Sequence, residues 1–364
     1  MGVVAWLERL IGIDTHNPGG DERALARLLA EALAAHTPDA LELVEVPRSG
    51  ATGAYLFARW GTPRVLINAH LDTVPPNAGW QGNPFQARRT AEHVIGLGAC
   101  DTKGAIAAVL AALEGGRPHD VALLFSGDEE HTGTCVRKFL SSPAAGGIER
   151  AIACEPTGCR VGTRHRGILE LEAKLAGAGG HSSRADELPA PLADLARVAV
   201  AWADWGVRQR EVGPFDFRGM CLNIAKLDGG IAFNVVPDGA CLTASLRPPP
   251  GSDVAAVKAE LFALARAVAP SVALAAPVEN APFHTRELAP FEQHLGELAR
   301  APIDLGFWTE AAMFAGAGID AVVCGPGSIA HAHAPDERVP IADLEKACAI
   351  FGRLFAGRAG HGAG

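Results

Sequence analysis

The sequence predicts an α/β protein with a second, α+β domain inserted into it, and three observations carry that expectation. Strand-like apolar runs alternate with helical patterns to about position 160, the order then becomes β-α-β-β-α-β, and the α/β pattern resumes towards the C-terminus. Alternation of the first kind packs helices on a mainly parallel sheet. The interrupting order is the split ferredoxin-like unit, in which two helices cover one sheet face. The discontinuous domain is expected over residues 1–163 and 280–364 and the insert over 164–279, within a chain of 364 residues that is long enough for two cores.

Each element has a local reason. "MGVVAWLERLIGIDTHNP" lacks a basic leader segment and carries Glu8 and Arg9 inside its apolar spacing, so it predicts a first helix and not a signal peptide. "DERALARLLAEALAAH" and "TKGAIAAVLAALEG" have helical spacing, whereas "AYLFARW", "RVLINAH", "VALLFS" and "RAIAC" read as strands. In the insert, "RGILELEAKLAG", "CLNIAKLDGG", "ACLTASLR" and "SVALAAPV" predict strands, and "LPAPLADLARVAVAWADW" and "DVAAVKAELFALARAVA" predict helices. After Glu279 come a helix at "PFEQHLGELARA", a short strand at "AVVCGPG", a long helix from Ile341 and a tail, "GRAGHGAG", expected to fray.

Bulk properties narrow the partners. Lys and Arg total 32 against 41 Asp and Glu, a formal charge of −9 with no run of like charge. That argues against nucleic acid or an anionic membrane as partner. Apolar runs such as "AIAAVLAAL" fall well short of a membrane span. The eight cysteines form no C-x-x-C pair, and reduced, buried thiols fit a cytoplasmic protein.

In open α/β sheets, ligands gather beyond the carboxyl ends of the strands. His70 and Asp72 follow "VLIN", Asp101 follows "VIGLGAC", Glu129 and Glu130 follow "LLFSGD", Glu155 follows "AIAC", and "GPGSIAHAHAPDE" supplies His331 and His333. Singly, each is ordinary, because acidic residues past strands mostly make turns and a lone histidine is usually a satisfied polar group. Together they put a metal-competent side chain at every one of these ends. Histidines with carboxylates and no ligating cysteine suit zinc, cobalt or manganese. Two dications would be balanced by a bridging Asp, two Glu and a hydroxide, with the ions about 3.5–4 Å apart. His70 and Asp72 share one side of an extended chain, so Asp72 can accept the second imidazole N–H. Glu129 and Glu130 diverge, so one can ligate while the other acts as general base and then general acid. Alternation points Cys100 and Cys154 away from the ligands, into packing.

"HLDTVP", "GLGACDTKGAIAA", "SGDEE", "ACEPT", "GGHSS", "NVVPD" and "GPG…HAPDE" occur in this order along nearly the whole chain. Together they resemble the metallopeptidase M20 family, which includes carboxypeptidase G2, succinyl-diaminopimelate desuccinylase and acetylornithine deacetylase. "FWTEAAMF" and "GPGSIAHAHAPDE" are most similar to the acetylornithine and acetylcitrulline deacetylase branch. The resemblance implies a zinc-hydrolase-like catalytic domain, an insert acting as lid and dimerisation domain, two divalent ions (zinc or cobalt) and a homodimer. Position by position, it implies that Asp101 bridges both ions, that His70 and Glu155 complete one site, and that Glu130 and His333 complete the other. Glu129 matches the general acid/base and Asp72 the support for His70. A cis peptide at Asp101-Thr102 is implied as well, as are a polarising contact from His181 to the scissile carbonyl and substrate contacts from Arg247 and Asn234. The family's ligand immediately precedes the small-x-Asp-Glu segment, which selects His333 over His331.

The implied activity is removal of the acetyl group from an N-acetyl-L-amino acid, N-acetylornithine or N-acetylcitrulline, in arginine biosynthesis. Thr309 and Glu310 are expected in the pocket that sets substrate choice. Glu310 would suit a cationic side chain such as ornithine, whereas the branch resemblance favours neutral citrulline. The competing expectations are another M20 amidohydrolase (desuccinylase, aminoacylase or dipeptidase) and a catalytically inactive binding relative, against which the intact Glu129 and ligand positions weigh.

Overall fold

A computed structural model describes residues 1–48 and 51–356, so the tail expected to fray lies outside the described residues. The chain forms two compact units, one of Met1–Thr163, Thr285–Asp304 and the chain from Thr309, the other of Arg164–His284 and Leu305–Trp308.

The first unit is an α/β layer. Val121–Ser126, Val65–His70, Arg150–Pro156 and Asp320–Gly325 run parallel in that spatial order. Beyond Val121–Ser126, Ala51–Trp60 and Ala40–Arg48 add antiparallel strands. Three of the four central strands are buried along their whole length and the fourth beyond its first residue, because helices cover both faces. Lys103–Leu113 is buried on nearly every side and packs against Val3–Ile11 and Ile341–Phe355. Its small side chains permit that, and Gly104 is required, since a Cβ there would fall 2.4 Å from the Ala99 carbonyl oxygen.

Two sequence expectations shift. Ala40–Arg48 is a strand that the pattern did not announce: it is the sheet edge, only Val46 is buried, and the glutamates face solvent. The helix expected over "PFEQHLGELARA" is Ala289–Leu295 followed by a 3-10 turn, because Gly296 adopts φ +59°.

The second unit is an antiparallel sheet in the order Asn223–Gly229, Gly239–Leu246, Ile168–Ala176, Ala273–Ala275, with helices Pro191–Arg208 and Val254–Val268. Ile168–Ala176 and Gly239–Leu246 alternate buried and accessible residues, the signature of a sheet packed on one face. Leu169, Leu171, Leu242 and Leu246 meet Trp202 and Leu261 in its core. Trp202 Nε1 donates to the Leu261 carbonyl at 2.9 Å, and Asp253 caps the second helix by accepting the Ala256 N–H at 3.0 Å.

Candidate active site

Parallel register aligns the carboxyl ends of the central strands, with His70 opposite Ser126. His70 ends one strand, Glu155 is the penultimate residue of another, and Glu129 and Glu130 follow Ser126 after a turn in which Asp128 has φ +71°. His333, at φ +57°, lies on the loop after Asp320–Gly325. Asp101 arrives differently from the expectation. The preceding strand, His93–Ile95, belongs to a separate three-stranded sheet, and Asp101 stands just before helix Lys103–Leu113. The Asp101-Thr102 peptide is cis.

These side chains converge within the first unit. His70 Nε2 lies 2.9 Å from Asp101 Oδ1 and 3.9 Å from Glu155 Oε2, and His333 Nε2 lies 2.8 Å from Glu130 Oε1 and 3.3 Å from Asp101 Oδ2. The two Asp101 oxygens therefore face different histidines. Ligand atoms of His70, Asp101 and Glu155 lie within 4.8 Å of one another, as do those of Asp101, Glu130 and His333, and those of His70, Glu129 and Glu130.

Asp72 has a fuller role than the alternation of side chains suggested. His70 Nδ1 donates to the Asp72 main-chain carbonyl at 2.9 Å, with the carboxylate at 3.6 Å. That carboxylate instead accepts the main-chain N–H of Glu129 at 3.2 Å and of Glu130 at 3.1 Å. One buried side chain thus ties the His70 strand end to the Glu129–Glu130 turn.

Burial dominates the electrostatics. It pushes the Glu129 and Glu155 carboxyls well above their ordinary range, assisted by neighbouring carboxylates, and raises Glu130 as well. Burial opposes charge on His70, yet hydrogen bonds to Asp101 and Asp72 hold its pKa well above normal. Hydrogen bonds to Asp101 and Glu130 lift His333 to about 10, and burial of Asp101 is outweighed by its contacts with both histidines, which lower its pKa. A partly buried cluster of four carboxylates and two imidazoles, with His333 on its exposed side, has to hold protons or cations, and divalent ions displace those protons. The donor set is oxygen and nitrogen with no cysteine, so it fits such ions.

Thr309 and Glu310 sit in the interior, with Glu310 1% exposed. The Ser126 hydroxyl donates to Glu310 Oε2 at 2.7 Å and accepts Asn68 Nδ2 at 2.9 Å, and burial lifts the Glu310 carboxyl to about 7. His181, Asn234 and Arg247 belong to the second unit and are exposed there. His181 pairs with Val235 in a two-residue ladder, and its Nδ1 accepts the Ser183 N–H at 3.2 Å. Sequence reasoning missed Glu337, Asn17, Arg48, Glu22 and Asp128, all of which buttress the site. Glu337 and Asp128 lie inside motifs already singled out, so the signal was present without a role attached.

A parallel-centred α/β layer with histidines and carboxylates gathered at its strand ends presents a site able to hold metal ions. Residues 66–356 match the model of peptidase family M20/M25/M40. The chain is 35% identical to the N-acetyl-L-citrulline deacetylase of Xanthomonas campestris pv. campestris, with 96% of each chain covered. It is 28% identical to the acetylornithine deacetylase of Myxococcus xanthus (97% and 96% covered) and 30% identical to the succinyl-diaminopimelate desuccinylase of Acidiphilium cryptum (81% and 83%). Its fold is similar to that of an M20 family metallo-carboxypeptidase from Sulfolobus solfataricus, with TM-score 0.79, 17% identity, and 97% and 98% of the chains covered. It is also similar to that of a dinuclear metal-binding M20 peptidase from Bacillus subtilis, with TM-score 0.69, 15% identity, and 97% and 96% covered. The chain belongs to peptidase family M20/M25/M40.

Proposed function

We propose that the protein removes the acetyl group from an N-acetyl-L-amino acid in arginine biosynthesis, with N-acetylcitrulline the first candidate and N-acetylornithine the second. The observation that carries the reading is the pair of donor sets sharing Asp101 beside the half-buried Glu129. His70, Asp101 and Glu155 would hold one divalent ion and Asp101, Glu130 and His333 the other. Zinc or cobalt fits these donors, and either would supply Lewis-acid polarisation of the acyl carbonyl and of water.

Glu129, with its pKa raised by burial, takes the proton of the attacking water and returns it to the departing amine. Asp72 holds Glu129 at the main chain, so the carboxyl is already in place when the substrate arrives. His181 is assigned the oxyanion contact and Arg247 and Asn234 the substrate, Arg247 taking the α-carboxylate; all three are exposed in their own unit. Substrate choice favours citrulline for two reasons. Glu310 is buried against Ser126, so it offers no open anionic wall to an ornithine ammonium, and the 35% identical relative is named for acetylcitrulline. A homodimer through the second unit accords with the exposed Val200, Val207 and Leu227 on its helix and edge strand. A cytoplasmic location accords with free, mostly buried cysteines and with the lack, among the described residues, of a helix long and apolar enough to cross a membrane.

Amino-acid release from N-acetylcitrulline, N-acetylornithine and N-succinyl-diaminopimelate, by metal-stripped protein with and without zinc or cobalt, tests the reading. Metal-dependent turnover of an acetylated substrate, lost in Glu129→Ala, is expected. Turnover of the succinyl compound alone overturns the deacetylase assignment, and metal binding with no hydrolysis of any amide overturns the enzymatic one.

A further inference from the structure

We propose that Asn17 and Arg48 are positioning residues for the Glu129–Glu130 turn, acting through Asp72 and Asp128, within the amidohydrolase reading above. Asp72 Oδ2, which accepts the Glu130 N–H, also accepts Asn17 Nδ2 at 3.2 Å. The same amide nitrogen lies 3.2 Å from Glu22 Oε1 and 3.2 Å from Asp128 Oδ1, so Asn17 is the hub of three buried carboxylates.

Asp128 directly precedes Glu129. Its Oδ2 is bonded by the Thr132 hydroxyl and accepts the Thr134 N–H at 3.0 Å, while Arg48 Nη1 donates to its Oδ1. Arg48 Nη2 donates to Glu22 Oε1 at 3.1 Å, placing this guanidinium, 9% exposed, between Glu22 and Asp128. The backbone leaves room for the arrangement. A Cβ on Gly127 would stand 1.9 Å from Glu22 Oε2, and one on Gly53 would stand 3.0 Å from Arg48 Nε.

Glu129 is therefore gripped on both flanks: its own N–H is held by Asp72, and the carboxylate of the residue before it is held by Arg48 and Asn17. A general base that drifts by about half an ångström loses its alignment with the proton it must take, and a ligand beside it loses its place on the metal. Neither Asn17 nor Arg48 is placed on the substrate, so the network acts on kcat and on metal affinity, leaving KM untouched.

The test compares Asn17→Ala, Arg48→Met and Arg48→Lys with wild type, using a cobalt titration followed by visible absorption, steady-state kinetics on the acetylated substrate, and thermal unfolding. Leu29→Ala, in the core on the helix that carries Glu22, controls for loss of stability alone. Asn17→Ala and Arg48→Met are expected to lower kcat and weaken one of two cobalt sites by about 10–100-fold, with KM unchanged and partial rescue in Arg48→Lys. Wild-type kcat and cobalt binding in Asn17→Ala would overturn the proposal, as would the same losses in Leu29→Ala. If wild type hydrolyses no amide, the deacetylase reading fails, while the cobalt isotherms still decide whether this network holds Glu130.

Discussion

Replacing Glu337 by alanine should cost the protein about 3–9 kcal/mol, because three buried main-chain donors lose their acceptor together. Glu337 is 2% exposed, and its Oε1 accepts the N–H of Cys100 at 2.9 Å and of Asp101 at 3.0 Å, while Oε2 accepts the N–H of Gly98 at 2.9 Å. The turn it holds has Gly98 at φ +78°, a conformation that glycine adopts at little steric cost. Each orphaned buried N–H costs about 1–3 kcal/mol, so three of them form a large share of a typical stability of about 5–15 kcal/mol. Glu337→Gln keeps the shape and leaves one oxygen for Cys100 and Asp101, but turns an NH2 towards the Gly98 N–H, so its cost should be about 1–3 kcal/mol. Urea unfolding of the metal-free protein at pH 7 measures both values. Amide exchange at Gly98, Cys100 and Asp101 reports whether the turn itself has loosened. A cost below about 1 kcal/mol for the alanine variant, with exchange unchanged, would refute the reasoning.

Two further outcomes follow from other parts of the fold. Burial, aided by the charge of Asp72 and opposed by Arg48, lifts the Glu22 carboxyl from 4.5 to about 8. The folded state then keeps a proton that the unfolded chain has released, so the Glu22 contribution to stability is fully present below about pH 5 and is lost, by up to about 4 kcal/mol, as pH rises through 8. Urea midpoints from pH 5 to 8 should decline, with a shallower slope in Glu22→Gln, and a slope equal to wild type in that variant would exclude Glu22 as the source. In the second unit, Trp202→Ala removes a fully buried indole together with its hydrogen bond to the Leu261 carbonyl, which keeps its helical donor. Thermal unfolding should show a loss of about 3–5 kcal/mol, and a loss under about 1 kcal/mol would mean that the core closes over the gap.

Much of this protein could be read from local patterns. Apolar runs of four to six residues announced the central strands, since a strand covered on both faces needs no polar alternation. The strand-like segments "RGILELEAKLAG" and "ACLTASLR" announced Ile168–Ala176 and Gly239–Leu246, and helical spacing the helices that cover both sheets. Chemistry-bearing residues just past those strands were legible for the same reason: a strand end exposes a turn, and His70, Glu129, Glu130 and Glu155 sit in or beside one. Motif order then supplied the family, which the match over residues 66–356 establishes.

Tertiary structure decided what those residues touch. Asp72 was read as a partner for the His70 ring, and it does lie nearby, but the principal donors to its carboxylate are main-chain groups of residues 57 and 58 positions away. Glu310 was read as a pocket wall, and packing against Ser126 buries it. Glu337 reaches Cys100 across 237 positions and Arg48 reaches Asp128 across 80. Periodicity carries only which face of an element is apolar. The direction of a polar side chain at a strand end is set by whichever distant donor the completed core brings within 3 Å or so, because a buried carboxylate without a donor costs more than the loop bending needed to find one.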